Sequence, residues 1–283
     1  IGNVNALKMF LESGNDVDLY FNIAEGFGSR NREALIPALL EICKKPYTAS
    51  DVYAMAIALQ KHQTKELVKT IGVPVPDGFI FSKADDDILD KAEKLGWPVV
   101  LKPNAEGGSM GLRLIKSKSE LIDEIDSLLS KSDGEWLIEE YIEGKEITVP
   151  IIGNADHAEA LGVVATIHEN GSDIELYDSE LKYIDNVINT AEFSCPENVR
   201  REIAEYSVAI HRYFNLRDYS RMDFRLTSDY RPYFLEANLM PSLCRHGSFE
   251  VCGKSRGLEY HEIIGRIIDE AAIRNGILPL ATS

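Results

Sequence analysis

Arg221–Met222–Asp223–Phe224–Arg225, a short polar turn, and Phe234–Leu235–Glu236–Ala237–Asn238 read as two strands of one hairpin, spanning Ser220 to Leu226 and Pro232 to Ala237. Side chains alternate along a strand, so Arg221 and Asp223 share a face, and Glu236 and Asn238 share a face of the next strand. Met222, Phe224, Phe234 and Leu235 are apolar and are expected to seat the hairpin on a core. Neighbouring strands lie about 4.8 Å apart, so Asp223, Glu236 and Asn238 can converge on one or two small cations. All three offer oxygen and no Cys or His accompanies them. That donor set suits Mg²⁺ shared with phosphate oxygens, Mn²⁺ being the alternative. The same residues would also suit a solvated hairpin carrying an Arg221–Asp223 ion pair.

Upstream, Val99–Val100–Leu101–Lys102 is an apolar strand ending on a lysine, followed by Pro103–Asn104–Ala105–Glu106–Gly107–Gly108–Ser109–Met110–Gly111. The glycines let backbone N–H groups turn towards an anion, and Ser109 adds a donor. The loop fits neither the Walker pattern nor the dinucleotide fingerprint, and a tight hairpin turn would use the same glycines. Lys61, on the preceding helix, can reach the same anion, although a helix lysine is ordinarily solvated. The connector Leu137–Ile138–Glu139–Glu140–Tyr141–Ile142–Glu143–Gly144–Lys145–Glu146 can offer backbone groups to an adenine edge, with Glu146 towards ribose hydroxyls. A junction between units is a favoured ligand site.

The chain has 283 residues, 45% hydrophobic and 27% charged, an ordinary globular composition with room for two or three subdomains. Its 30 basic and 46 acidic side chains give a formal charge of -16, which argues against nucleic acid and anionic membranes as partners. Anionic ligands must then be held by local groups of Lys, Arg and backbone N–H. Cys43, Cys195, Cys244 and Cys252 lack zinc-type spacing and read as reduced thiols. No apolar run reaches the ~20 residues that span a bilayer and no signal peptide is visible, so a cytoplasmic location is expected.

Helices are expected at Ala6–Phe10, Glu33–Ile42, Asp51–Ile71, Asp85–Leu95, Ser119–Ser130, Asn198–Phe214 and Tyr260–Asn275. Strands are expected at Val17–Phe21, Gly78–Phe81, Val99–Lys102, Leu112–Ile115, Glu135–Glu139, Glu146–Ile152 and Ala160–Ala165, besides the hairpin. The continuous apolar run Val17–Phe21 reads as a buried parallel strand; the residues after it offer one short candidate neighbour, around Tyr47, and a first strand is expected upstream of Ile1. Three units follow: 1–49, an N-terminal αβ remnant; 50–139, a central subdomain; and 140–283, a C-terminal subdomain carrying the hairpin.

The order Lys61, Lys102 with its glycine loop, the Glu139–Glu146 connector, Arg221-x-Asp223 and Glu236-x-Asn238 resembles the ATP-grasp superfamily, and the D-alanine–D-alanine ligase family in particular. The resemblance runs from Val17 to the last helix, through Pro46–Tyr47–Thr48, and is densest at Lys102–Gly111 and Arg221–Pro241. It implies an α/β (α+β) ATP-grasp fold with a truncated N-terminal parallel αβ domain, a central α+β domain and a C-terminal domain with an antiparallel sheet. It implies that Lys61, Lys102 and Ser109 contact ATP phosphates, that Glu139, Glu140 and Ile142 line the adenine pocket, and that Glu146 binds ribose. Asp223, Glu236 and Asn238 would hold two Mg²⁺ ions, with Glu236 bridging. Lys182 and Tyr183 match a Lys-Tyr pair on a mobile loop that closes over the γ-phosphate. The implied reaction is ATP-dependent amide formation between a carboxylate and an amine through an acyl phosphate, with Arg221 as the oxyanion donor.

The substrate side departs from the family pattern. Glu25–Gly26 stands where His-Gly is usual, Gly108 replaces the first loop serine, Pro241–Ser242 replaces Pro-Gly, and Gly247 replaces a downstream serine. Glu25, Arg30, Arg32 and Ser242 are therefore the candidate substrate residues, for small amino acids or short peptides that differ from the family's usual pair. Two other readings are another ATP-grasp N-acylating enzyme for a small metabolite and a non-catalytic nucleotide-binding regulatory module. A homodimer is compatible with either.

Overall fold

The computed structural model describes residues 2–83, 87–129, 134–177 and 187–279. The N-terminal part holds α1 (Val4–Glu12), capped by the Asn3 side chain, and α2 (Leu35–Ile42), which follows a 3-10 turn at Arg32–Ala34. Leu7, Tyr20, Ile36, Leu40 and Tyr47 form a small core between them. The expected strand Val17–Phe21 reduces to one parallel bridge, Tyr20 to Tyr47. Val17 and Phe21 are exposed, so among the described residues the run is not covered on both faces as a central strand would be.

The helix expected over Asp51–Ile71 is two helices, α3 (Val52–Ala58) and α4 (Lys61–Lys69). The break has a tertiary cause. The Lys61 N–H donates to the Asn104 carbonyl at 3.0 Å and the His62 N–H to Asn104 Oδ1 at 2.9 Å. Both amides are thereby taken from a continuous helical ladder. Buried Asn104 also donates to Gln63 and Glu135, so the start of α4 is fixed to the glycine-loop side of the molecule.

Next come β1 (Gly78–Phe81), α5 (Ile88–Leu95), β2 (Val99–Pro103), β3 (Arg113–Ile115), α6 (Lys118–Leu129) and β4 (Trp136–Glu140). The strands form an antiparallel sheet in the order β1-β4-β2-β3, and α5 and α6 cover it through Ile88, Ala92, Leu121 and Ile125.

The remainder comprises β5 (Lys145–Ile152), β6 (Glu159–Ala160), β7 (Val164–His168), β8 (Val187–Thr190), α7 (Glu197–Tyr213), β9 (Tyr219–Leu226), β10 (Pro232–Asn238), α8 (Ser248–Ser255) and α9 (Tyr260–Arg274). The larger sheet runs β10-β9-β5-β7-β8, with β6 paired to β5. The strand expected over Ala160–Ala165 is split: Ala160 faces Ile151 but Val164 faces Thr148, a register shift of one residue on β5, and Pro150 between them has no N–H to continue the ladder. Met55 and Val68 from α3 and α4, Ile210 from α7 and Ile267 from α9 join Met222, Phe224 and Phe234 in one core beneath this sheet. Helix α4 thus packs with the large sheet while its first turn touches the loop after β2. That arrangement brings Lys61 to the mouth between the two sheets.

Candidate active site

The hairpin delivers its polar residues as a grid. Asp223 stands opposite Thr148 on β5 and opposite Glu236 on β10, while Arg221 stands opposite Pro150 and Asn238. One feature of β10 makes this possible. Strict alternation would put Phe234, Glu236 and Asn238 on a single face, yet Phe234 is in the core with Phe224. A bulge between Phe234 and Glu236 shifts the phase by one residue. Leu235, expected in the core, is turned by the bulge to the cleft, which it lines beside Glu236.

Asp223 is held from three sides. Arg221 donates through Nε at 2.8 Å and Nη2 at 2.7 Å, Asn238 Nδ2 donates at 2.8 Å, and the Thr148 hydroxyl donates as well. Asn238 Nδ2 is also 3.5 Å from Glu236 Oε1. Glu236 Oε2 lies 3.2 Å from Lys61 Nζ, and Lys61 also donates to the Glu106 carbonyl of the glycine loop. Asp223 and its neighbours keep Arg221 firmly charged, its pKa raised above the ordinary arginine value despite burial.

The opposite wall is built on β2 and β4. Lys102 and Glu139 are buried side by side, and Glu139 pairs with Lys102 through one oxygen and with Lys65 through the other. Burial works against the Glu139 charge, but the two ammonium groups overcome it and hold its pKa below the usual carboxylate value. Ser109 sits at φ 59°, inside the turn Gly107–Gly111, and faces the cleft. Glu140 at the end of β4, and Tyr141 and Ile142 after it, line the cleft as the chain crosses to β5. Glu146, at the start of β5, pairs with Arg225 at 3.0 Å, and burial raises its pKa. Arg225 also donates to the carbonyls of Gly144, Ile174 and Glu175, which fastens the segment ahead of residue 178 to the sheet.

One cleft of about 410 Å³ is therefore lined by Lys102, Ser109, Glu139, Glu140 and Ile142 from the smaller sheet and its connections, by Glu146, Arg221, Asp223, Glu236 and Asn238 from the larger sheet, and by Lys61 at its mouth. Glu25 and Ser242 also line it. Arg30 and Arg32 do not. Arg30 is exposed, and Arg32 is buried, donating to the Ala105 carbonyl at 2.6 Å and lying 3.4 Å from Glu106. Arg32 is thus a brace behind the glycine loop rather than a side chain open to a substrate. Lys182 and Tyr183 lie outside the described residues. Sequence reasoning missed Lys65, Thr148, Tyr177 and Arg225. The partners of Lys65, Thr148 and Arg225 stand tens of residues away, so only the pairing of strands and helices reveals them, and Tyr177 is placed by its position on the cleft wall.

The donor set can be tested for a cation. Among the described residues no three His, Cys, Asp or Glu side chains form a cage sufficient alone for a metal. What converges is two carboxylates and an amide whose nitrogen sits between them. The terminal torsion of Asn is soft; turned over, the amide presents Oδ1 at the same point, giving three oxygens. Such a partial set fits Mg²⁺, which takes further oxygens from phosphate and water.

A family model described as D-ala D-ala ligase C-terminus matches residues 67–269. A D-alanine–D-alanine ligase of Aquifex aeolicus is 32% identical over 241 residues, covering 85% of this chain and 79% of that one. The uncharacterized protein y4sG of Sinorhizobium fredii is 34% identical over 268 residues, covering 92% and 77%. Among solved structures, the D-alanine–D-alanine ligase of Bacillus anthracis complexed with ATP superposes with a TM-score of 0.76 at 22% identity, over 96% of this chain and 84% of that one. By the family model, these relatives and the shared fold, the chain belongs to the D-alanine–D-alanine ligase family and has its ATP-grasp fold.

Proposed function

We infer that this chain is an ATP-dependent ligase that forms a C–N bond between the carboxylate of one small amino acid and the amine of another. The observation that carries the reading is the meeting, across one cleft, of Asp223, Glu236 and Asn238 with Lys61, Lys102 and Ser109. In the proposed reaction the substrate carboxylate oxygen attacks the γ-phosphorus, the bond to ADP breaks, and an acyl phosphate forms. The amine then attacks the acyl carbon, phosphate departs with the C–O pair, and the amine gives up a proton.

The chain's residues divide this work. Lys61 and Lys102 hold the phosphates, with Ser109 and the turn around it supplying neutral donors. Glu139, Glu140 and Ile142 border the base, and Glu146 reaches the ribose. Asp223, Glu236 and Asn238 hold Mg²⁺, which when bound neutralises charge on the phosphates. Arg221, fixed on Asp223 and always protonated, faces the developing oxyanion. Glu25 and Ser242 stand at the substrate end, where this chain departs from the family's usual residues. That departure supports a substrate pair other than two D-alanines.

The test is ADP release with Mg²⁺ over pairs of D- and L-amino acids, with the product identified by mass spectrometry. Amine-dependent ADP release yielding an amide is expected, and Glu236→Ala is expected to abolish it while keeping the fold. ADP production by Glu236→Ala at the wild-type rate would remove the metal assignment.

A further inference from the structure

Lys65 lies one turn beyond Lys61 on α4, faces away from solvent, and is 2% exposed. A lysine is almost never buried to this degree unless it is paired. Its partner is Glu139 on β4, equally buried, whose second oxygen pairs with Lys102 on β2. Lys102 and Glu139 line the cleft; Lys65 does not. Two ammonium groups thus share one carboxylate, and the trio carries a net positive charge at the wall where the nucleotide's phosphates are proposed to bind. Without Lys65, Lys102 and Glu139 would form a neutral pair and that charge would vanish.

We propose that Lys65 is a positioning residue of the nucleotide site: by occupying one oxygen of Glu139 it fixes this carboxylate and leaves the Lys102 charge available to ATP. The inference rests on the ATP-binding part of the reading above and not on the identity of the amine. Two further features agree with it. Lys61 and Lys65 are both buried on α4, so one short helix supplies a front-row and a back-row cation. The start of that helix is also bonded to Asn104, two residues past Lys102, so the three lysines are held in one frame.

Burial draws the Lys65 pKa down to about 7, against the attraction of Glu139 and with Lys102 and Lys61 adding repulsion. The test is therefore made at pH 6, where the ammonium keeps its proton. Binding of Mg-ATP to the full chain is measured by calorimetry for wild type, Lys65→Met, and Lys65→Met with Glu139→Gln. Lys65→Met is expected to weaken ATP binding about tenfold or more, the loss of one unit charge at short range in a protein-like dielectric. In the double variant the amide that replaces the carboxylate keeps an acceptor oxygen, Lys102 is freed, and the net charge returns. Its Kd is expected to recover to within about threefold of wild type. Where turnover is measurable, the Lys65→Met loss should fall on the KM for ATP more than on kcat.

A merely structural lysine would lower the melting temperature of both variants and leave Kd alone. Wild-type affinity in Lys65→Met, or a double variant binding no better than the single one, overturns the proposal. Wild-type ATP binding without amide formation would instead count against the ligase reading and leave the positioning test intact. Failure of wild type to bind ATP would overturn both.

Discussion

Asp223 illustrates how much of this site is decided by single side chains. Its two oxygens accept from Arg221, Asn238 and Thr148, so the proposed cation would displace an amide donor rather than water alone. Arg221 is oriented by the bidentate contact, with Nε and Nη2 committed to the carboxylate. Arg221→Ala should slow amide formation by about 10²-fold, the usual loss of ~3 kcal/mol for one oxyanion donor. Its ATP affinity should stay within about threefold of wild type. Single-turnover amide formation beside calorimetric ATP binding separates the two, and a variant impaired only in nucleotide affinity contradicts the role. At this scale the sequence was most informative where chemistry is local. Arg221-x-Asp223 and Glu236-x-Asn238 declare their faces by spacing alone. Arg30 and Arg32 show the converse, since a charged side chain does not announce its direction, and Arg32 turns out to brace the Ala105 carbonyl. Thr148 and Lys65 lie 75 and 74 residues from their partners, Asp223 and Glu139, a separation that only strand and helix pairing closes.

The secondary elements set these side chains in register. The bulge in β10 lets Phe234 enter the core while Glu236 and Asn238 both reach the cleft, a change of phase that simple alternation could not supply. The break between α3 and α4 was equally hidden, because its cause is Asn104, more than forty residues away. Helix α8 and strand β8 were not expected from the sequence. Helix α7 is fastened to the sheet by His211, which is fully buried. A carbonyl can only accept, so His211 Nε2 donates to the Gly153 carbonyl at 3.2 Å, and Nδ1 accepts from the Ser220 hydroxyl at 2.8 Å. Burial, the main cause, lowers its pKa to about 4. The unfolded chain, with an imidazole pKa of about 6.5, binds the extra proton first. Folding stability should therefore fall as pH drops from about 6.5 towards 4, with His211 contributing up to ~3 kcal/mol of that loss. Urea unfolding across this range should show a shallower pH slope in His211→Gln than in wild type. Equal slopes would show that the histidine is not the group responsible.

Over the whole molecule, distant parts of the chain are joined at a few buried polar points. Asp218, just ahead of β9, is fully buried and accepts from Arg274 on α9 at 2.9 and 2.7 Å, from the Ala49 N–H at 2.9 Å, and from Asn154 at 3.1 Å. Arg274 also donates to the Tyr47 carbonyl, so the last helix, the hairpin strand and the N-terminal part meet at one carboxylate. Arg274→Met strands that charge and should destabilise the fold by about 3–5 kcal/mol. A loss under about 1 kcal/mol in chemical denaturation, the range of an exposed pair, would show that the junction is not what unites these parts. The same scale explains the charge. A chain of -16 needs a concentrated set of cations to hold a nucleotide, and in the proposed reading Lys61, Lys65, Lys102 and Arg221, gathered around one cleft, are that set. The three sets of buried apolar residues were legible as periodic runs, whereas the packing of α4 on the larger sheet depended on contacts that no single run encodes. No helix among the described residues is long and apolar enough to cross a membrane. The central claim, that two carboxylates and an amide on this hairpin grip the metal that grips the nucleotide, is open to direct observation. Crystals grown with a non-hydrolysable ATP analogue and Mn²⁺ should give anomalous peaks about 2.1 Å from carboxylate oxygens of Asp223 and Glu236, with the Asn238 amide oxygen turned inward. Nucleotide bound in the cleft with manganese elsewhere, or with none at the hairpin, would contradict that claim.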